Sequence, residues 1–326
     1  MSLLKSRQNY KPFLYDFAYQ AYKTQSQLHW LPSEVPMQND IDDWKHKLSK
    51  PEKNLLTHIF RFFTQADVDV AKGYNNYYIP AFSGNPEVSM MLNTFASMEA
   101  IHIDAYSLLL DSVGMPEAEY NAFSKYKEMR DKHDFMNALP QDVPALSTED
   151  LIELIAIYSG FGEGMQLFAS FAILMNFPRF GKMKGMGQIV TWSIRDETLH
   201  CEAMIKLMRT LIQENPEAWN DGLKKRIYGA ARTMVELEDK FIDLAFELNE
   251  VEGLDKELVK CYIRYIADRR LLQMGLKTNF KVKENPLPWL EELLNNHEHA
   301  SFFETRVTEY QKAAISGDFN KVWEKK

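Results

Sequence analysis

"MEAIHIDAYSLLLD", residues 98–111, places a glutamate, a histidine and a tyrosine along one helical face. Leu92, Phe95, Glu99, His102, Tyr106 and Leu110 recur every three or four residues, so they share one side of an α-helix. That side is otherwise apolar. Glu99 and His102 therefore look into a core, where an unpaired charge is costly. Something must compensate them there.

A second copy of the motif follows in "SIRDETLHCEAMIKLM", residues 193–208. Glu197 and His200 are again three apart, and Val190, Ile194, Cys201, Met204 and Met208 continue their face. One Glu-x-x-His pair arises readily by chance or as a surface pair. Two copies, each on the buried face of a long helix, point to a shared site. Two further acids complete the pattern. In residues 54–78, Asp67 lies in the stripe Leu56, Phe60, Phe63, Val70, Tyr74 and Tyr78, whereas Asp69 shares the more polar side with Gln65 and Lys72. Asp67 is the inward one. Glu163 sits within an apolar helix among Gly160, Gly162 and Gly164. Each mid-helix glycine costs about 1 kcal/mol relative to alanine, so three together predict a local distortion of the kind found at functional sites.

Four helices thus each offer a carboxylate to one core, and two add a histidine. Buried acids stay neutral unless a cation keeps them charged. A pair of divalent metals does this for all four at once, and a carboxylate and imidazole set suits iron or manganese. One acid per helix, with Glu-x-x-His on two of them, is the ligand pattern of ferritin-like dimetal carboxylate proteins, an arrangement already described in general terms for that fold.

The rest of the chain bounds this reading. It has 326 residues, 45% hydrophobic and 26% charged, with a net charge of −8 and a mean hydropathy of −0.37. An acidic surface argues against coating nucleic acid. Two cysteines, Cys201 and Cys261, make no disulfide framework, and "MSLLKSRQNYKPF" has no apolar signal core, so a reducing cytoplasm is expected. Residues 151–177 are apolar enough to suggest a membrane span, but Glu163 and Gln166 in the middle read as a buried core helix instead. Helical periodicity runs through 51–79, 87–113, 149–176, 186–213, 220–250 and 255–276, with Pro80, Pro116, Pro178 and Pro216 expected beyond helix ends. The expected fold is all-α, a ferritin-like bundle of long helices. It forms one domain over 1–301, with an irregular arm over 1–50 and a flexible tail over 302–326. The charged run 125–134 reads as a solvated face.

At this point the sequence resembles the small, radical-generating subunit of class I ribonucleotide reductase, from "HWLPSEV" (29–35) to "FFETRVTEY" (302–310). The resemblance implies that Asp67, Glu99, His102, Glu163, Glu197 and His200 hold a dinuclear centre of iron, manganese or both. Tyr106, four residues after His102, matches the family's radical-forming tyrosine, and Glu163 lies 34 residues before the second Glu-x-x-His, a separation like the family's. Trp30 and Asp196 match the radical relay, and Tyr310 matches the tail tyrosine that hands the oxidation to the large subunit. A homodimer, docking of the large subunit by the tail, and activation by dioxygen or by superoxide from a flavoprotein are implied in the same way. No phosphate-cradling GxxxxGK[ST] loop is present, so this chain is expected to bind no nucleotide in its catalytic role, and the resemblance implies that a large subunit reduces the ribonucleotides. The competing readings are another dimetal carboxylate oxidase or metal store of ferritin-like fold, and a metal-free helical interaction protein.

Overall fold

Ser49 begins the first long helix. Its hydroxyl accepts from Glu52 N, and the Glu52 carboxylate accepts from Ser49 N at 2.7 Å, a reciprocal cap with Pro51 in the first turn. The computed structural model describes residues 2–138, 146–248 and 251–294, and all the regular structure among these is helical. In chain order the helices are α1 (Asp16–Gln27), α2 (Gln38–His46), α3 (Lys50–Lys72), α4 (Ile79–Phe82), α5 (Pro86–Val113), α6 (Glu117–Tyr120), α7 (Lys127–Asn137), α8 (Thr148–Leu154), α9 (Leu167–Arg179), α10 (Lys184–Glu214), α11 (Asp221–Ala245) and α12 (Lys256–Gln273). Two π-helical segments join neighbours without a break. Gly73–Tyr78 links α3 to α4, and Ile155–Gln166 links α8 to α9.

The chain divides into two units, Met1–Pro286 and Leu287–Lys326. In the first, α5 packs on α1 and α3, while α10 packs on Ile155–Gln166 and α9. These four rods, α3, α5, the 148–179 helix and α10, carry the core acids. The 148–179 helix is buried from Leu154 through Phe177. No helix among the described residues is long and apolar enough to cross a membrane. Of the second unit, residues 288–294 form a helical turn.

α10 shows how the ends are secured. Its N-cap, Met183, is left-handed at φ 51 and supplies no side-chain cap. Asp40 of α2 substitutes, accepting from Gly185 N at 2.7 Å and Met186 N at 2.8 Å, and Asp43 accepts from Met183 N at 2.9 Å. Gly185 permits this approach, because a Cβ there would lie 2.6 Å from Asp40 Oδ2.

Several expectations need correction. Residues 1–50 contain α1 and α2, not only an irregular arm. α1 buries Ala18, Ala21 and Gln25, small or polar residues that leave no apolar stripe to read. Pro80 lies in the first turn of α4 and Pro178 near the end of α9, so neither stands beyond a helix end. Lys132, in the run expected to be solvated, is buried and paired with Glu238, its ammonium over the Phe62 ring at 3.5 Å. Glycine-rich 160–164 is distorted as expected, lying within the π-helical segment. The tail 302–326, with Tyr310, lies outside the described residues.

Candidate metal centre

α3 supplies Asp67, α5 supplies Glu99 and His102, the π-helical segment supplies Glu163, and α10 supplies Glu197 and His200. All six are buried, none more than 2% exposed. One ligand atom from each of Glu99, Glu163, Glu197 and His200 falls within 4.8 Å of the others. His102 joins them, its Nδ1 3.1 Å from Glu197 Oε1 and 3.6 Å from Glu99 Oε2. His200 Nδ1 lies 3.1 Å from Glu99 Oε1 and 3.7 Å from Glu197 Oε2. Asp67 is buried as well but does not fall within that converging group, although the charges of His102, Glu99 and Glu197 act on it.

The electrostatics show what the cluster lacks. Burial pushes Asp67 and Glu163 well above the ordinary carboxylate range, and the neighbouring glutamates push the same way. Burial also acts on Glu99, but the imidazoles of His102 and His200 outweigh it and hold that carboxyl down at about 2. Burial would discharge His200, yet Glu197 and Glu99 raise it to about 10. His102 is likewise driven up, against its burial, by Asp196, Glu197 and Glu99. Protons on the two histidines and two acids thus stand in for missing positive charge.

Within this cluster six buried atoms make no hydrogen bond: Asp67 Oδ2, both Glu99 oxygens, Glu163 Oε2, Glu197 Oε2 and His200 Nδ1. Orphaned polar atoms this deep are costly, and so many at one place mark a site meant for cations. The donor set, oxygen with two imidazole nitrogens, fits iron or manganese. Cys201 adjoins His200 and is buried, but it is not among the residues whose ligand atoms converge.

Each histidine is oriented by its outer nitrogen. His102 Nε2 lies 3.3 Å from Asp196 Oδ2, the oxygen that also accepts from Trp30 Nε1 at 2.8 Å. His200 Nε2 lies 3.2 Å from Gln25 Oε1, and Gln25 Nε2 donates to Asp196 Oδ1 at 3.1 Å. Arg195 donates to the same Asp196 oxygen at 3.3 Å. Against the effect of burial, these partners hold Asp196 at about 2, with His102 the largest contributor. Tyr106 is 5% exposed, its ring stacked on Phe63 at 4.5 Å and its hydroxyl 3.4 Å from Ser193 Oγ. Phe63 in turn stacks on Phe171 at 5.8 Å.

Four neighbours escaped the sequence reading. Gln25 shares a face with Ala18 and Ala21, so a polar residue on a stripe of small ones was the available signal. Trp192 meets Trp30 at 5.0 Å between ring centres, one turn before Asp196. Ser193 carried no signal. Tyr74 was noted as apolar stripe, though its ring lies 6.1 Å from that of His200.

Residues 7–286 match the family described as ribonucleotide reductase, small chain. The chain belongs to that family. It is 46% identical to the "Probable ribonucleoside-diphosphate reductase small subunit 376L" of Invertebrate iridescent virus 6, over 100% of this chain and 99% of that one. It is 34% identical to the ribonucleoside-diphosphate reductase subunit beta of Chlamydia pneumoniae, over 93% and 89% respectively. The fold is that of the ribonucleotide reductase R2 subunit from Clostridium botulinum, with a TM-score of 0.78 at 24% identity over 86% of this chain and 88% of that one. The dimanganese(II) NrdF of Streptococcus sanguinis has the same fold, with a TM-score of 0.74 at 21% identity over 86% and 96%. This chain is therefore a ribonucleotide reductase small subunit, with a large subunit as its implied partner. Its buried carboxylate and histidine cluster suits a dinuclear metal site.

Proposed function

We propose that the small subunit binds two iron or manganese ions, or one of each, through Asp67, Glu99, His102, Glu163, Glu197 and His200. The carrying observation is the buried convergence of Glu99, Glu163, Glu197 and His200, with His102 against Glu99 and Glu197 and with orphaned oxygens and a nitrogen in the cluster. Bound there, the pair supplies one-electron oxidising chemistry drawn from dioxygen or from superoxide, the latter provided by a flavoprotein. Every other element of the function belongs to side chains of this protein.

Tyr106 stores the oxidising equivalent as a phenoxyl radical. Its ring is shut between Phe63 and the helices, and burial drives its hydroxyl well above the usual phenol range, so it holds its proton until oxidised. Asp196 joins His102 to Trp30 through one carboxylate oxygen, making a continuous hydrogen-bonded chain out of the centre. Trp30 and then Tyr310 on the tail pass the oxidation to the large subunit, which reduces ribonucleotides to deoxyribonucleotides. The tail docks that subunit, and two copies of this chain form a homodimer. The free thiols of Cys201 and Cys261 fit a reducing cytoplasm.

The test combines three measurements on one sample loaded with iron, manganese or both: metal content, electron paramagnetic resonance, and deoxyribonucleotide formation with the large subunit. Two ions per chain and turnover are expected, and Tyr106→Phe should keep both ions while losing the radical signal and turnover. No product under any metal loading would favour a different dimetal oxidase or a metal store. Full turnover by Tyr106→Phe would leave the oxidising equivalent on the metals.

A further inference from the structure

Trp30 is the outer end of the hydrogen-bonded chain that runs from His102 through Asp196, yet its side chain is only 3% exposed. A ring buried that far meets neither a reductant in solution nor a partner's surface. The path stops short of the outside unless a neighbour of Trp30 continues it.

Trp192 is that neighbour. It lies on α10, one turn before Asp196, and its ring centre is 5.0 Å from that of Trp30, with the planes inclined by 47°. Aromatic pairs in direct contact have their centres at such distances. The Trp30 ring also lies 6.1 Å from that of His102. The rings of His102, Trp30 and Trp192 thus follow one another at 6.1 and 5.0 Å. The first two are buried and Trp192 is half-buried, so the series ends at solvent. Anchoring the segment 28–31 does not require an indole at this place. Arg195 already ties that segment to α10 by donating to the Leu28 carbonyl at 2.7 Å, and phenylalanine would supply the remaining bulk. What tryptophan adds is a ring that readily gives up one electron.

We propose that Trp192 is the surface end of this path, where electrons from outside enter to return the oxidised protein to its resting state. The inference rests on the radical reading above and extends its route to solvent. The step balances within the pair. When Trp30 has lost one electron inward, Trp192 supplies one, and Trp30 is restored with its Nε1–H still donated to Asp196. Trp192, now one electron short, recovers it from a one-electron donor outside. No bond forms or breaks, and no proton leaves either indole.

The experiment loads the full chain with iron or manganese, forms the oxidised state and follows its loss by electron paramagnetic resonance after ferrocyanide is added. Ferrocyanide gives one electron and is too large and too charged to enter the core. Trp192→Phe should form the oxidised state in wild-type yield with the same metal content. It should then lose that state about tenfold more slowly, which is about 1.4 kcal/mol in barrier. Trp192→Tyr, which keeps an oxidisable ring, should decay near the wild-type rate. An unchanged or faster decay in Trp192→Phe would overturn the proposal. Equal slowing in Trp192→Tyr would overturn it too, since the shape of the indole and not its electron would then matter. A wild-type chain that gains no radical signal under any metal loading would instead overturn the radical reading, and this route with it.

Discussion

Asp196 shows how much one side chain organises. Its two oxygens receive Trp30, Gln25 and Arg195 and lie beside His102, so it connects α1, the segment before α2, α5 and α10 at one point. Asp196→Asn keeps the size but puts an amide hydrogen where an acceptor is required, facing either the indole or the imidazole. Manganese affinity at the His102 position should fall ten- to a hundredfold, measured by titrating the metal-free chain with manganese(II), with wild-type folding by circular dichroism. Undiminished affinity would make Asp196 dispensable for orienting His102. The acid was legible in sequence because it precedes Glu197 in "RDETLH". Gln25 was not, because its one local mark is a place on a stripe of small residues, while the two residues it reaches lie about 170 positions away.

At the scale of the element, the π-helical segment Ile155–Gln166 decides where Glu163 points. Within it the Gly164 carbonyl accepts from Arg270 Nε at 2.8 Å. A Cβ on Gly164 would lie 2.6 Å from Cys201 Sγ and 2.7 Å from Arg270 Nε, so this glycine is required by close approach of α10 and α12. Gly164→Ala should therefore destabilise the protein by about 1–3 kcal/mol through overpacking, despite its gain in helix propensity. Gly229 on α11 has nothing within 4 Å of its would-be Cβ, and Gly229→Ala should stabilise by about 0.5–1 kcal/mol. Urea unfolding of the metal-free chain measures both. Equal signs would mean that close packing at Gly164 is not what selects glycine. Three glycines around an acid predicted a distortion here, but the second π-helical segment, Gly73–Tyr78, carried a single glycine and went unseen.

For the whole molecule, the centre joins four rods that otherwise meet through apolar packing, so ions should stabilise the fold as well as serve chemistry. An ion that binds only the native state adds about 2.7 kcal/mol when present at a hundredfold over its dissociation constant. The melting temperature should rise with manganese or iron and return to the metal-free value on chelation. An unchanged melting temperature under saturating metal would argue for a metal-free helical protein. The unpaired atoms of Asp67, Glu99, Glu163, Glu197 and His200 are the reason to expect the shift.

Periodicity alone determined that the chain is helical, because burial of one helix face is a local property written every three or four residues; it placed Asp67 inward but missed that Asp69 is buried too, paired with Lys72 and His133. It likewise showed six polar groups aimed inward, a debt that only cations or protons could meet. Tertiary structure decided what those groups meet. α1 escaped notice because its buried face is small and polar, and Lys132 was misjudged because its partner, Glu238, is over a hundred residues distant. The link from Gln25 to His200 follows from how the rods cross, which no spacing along the chain records.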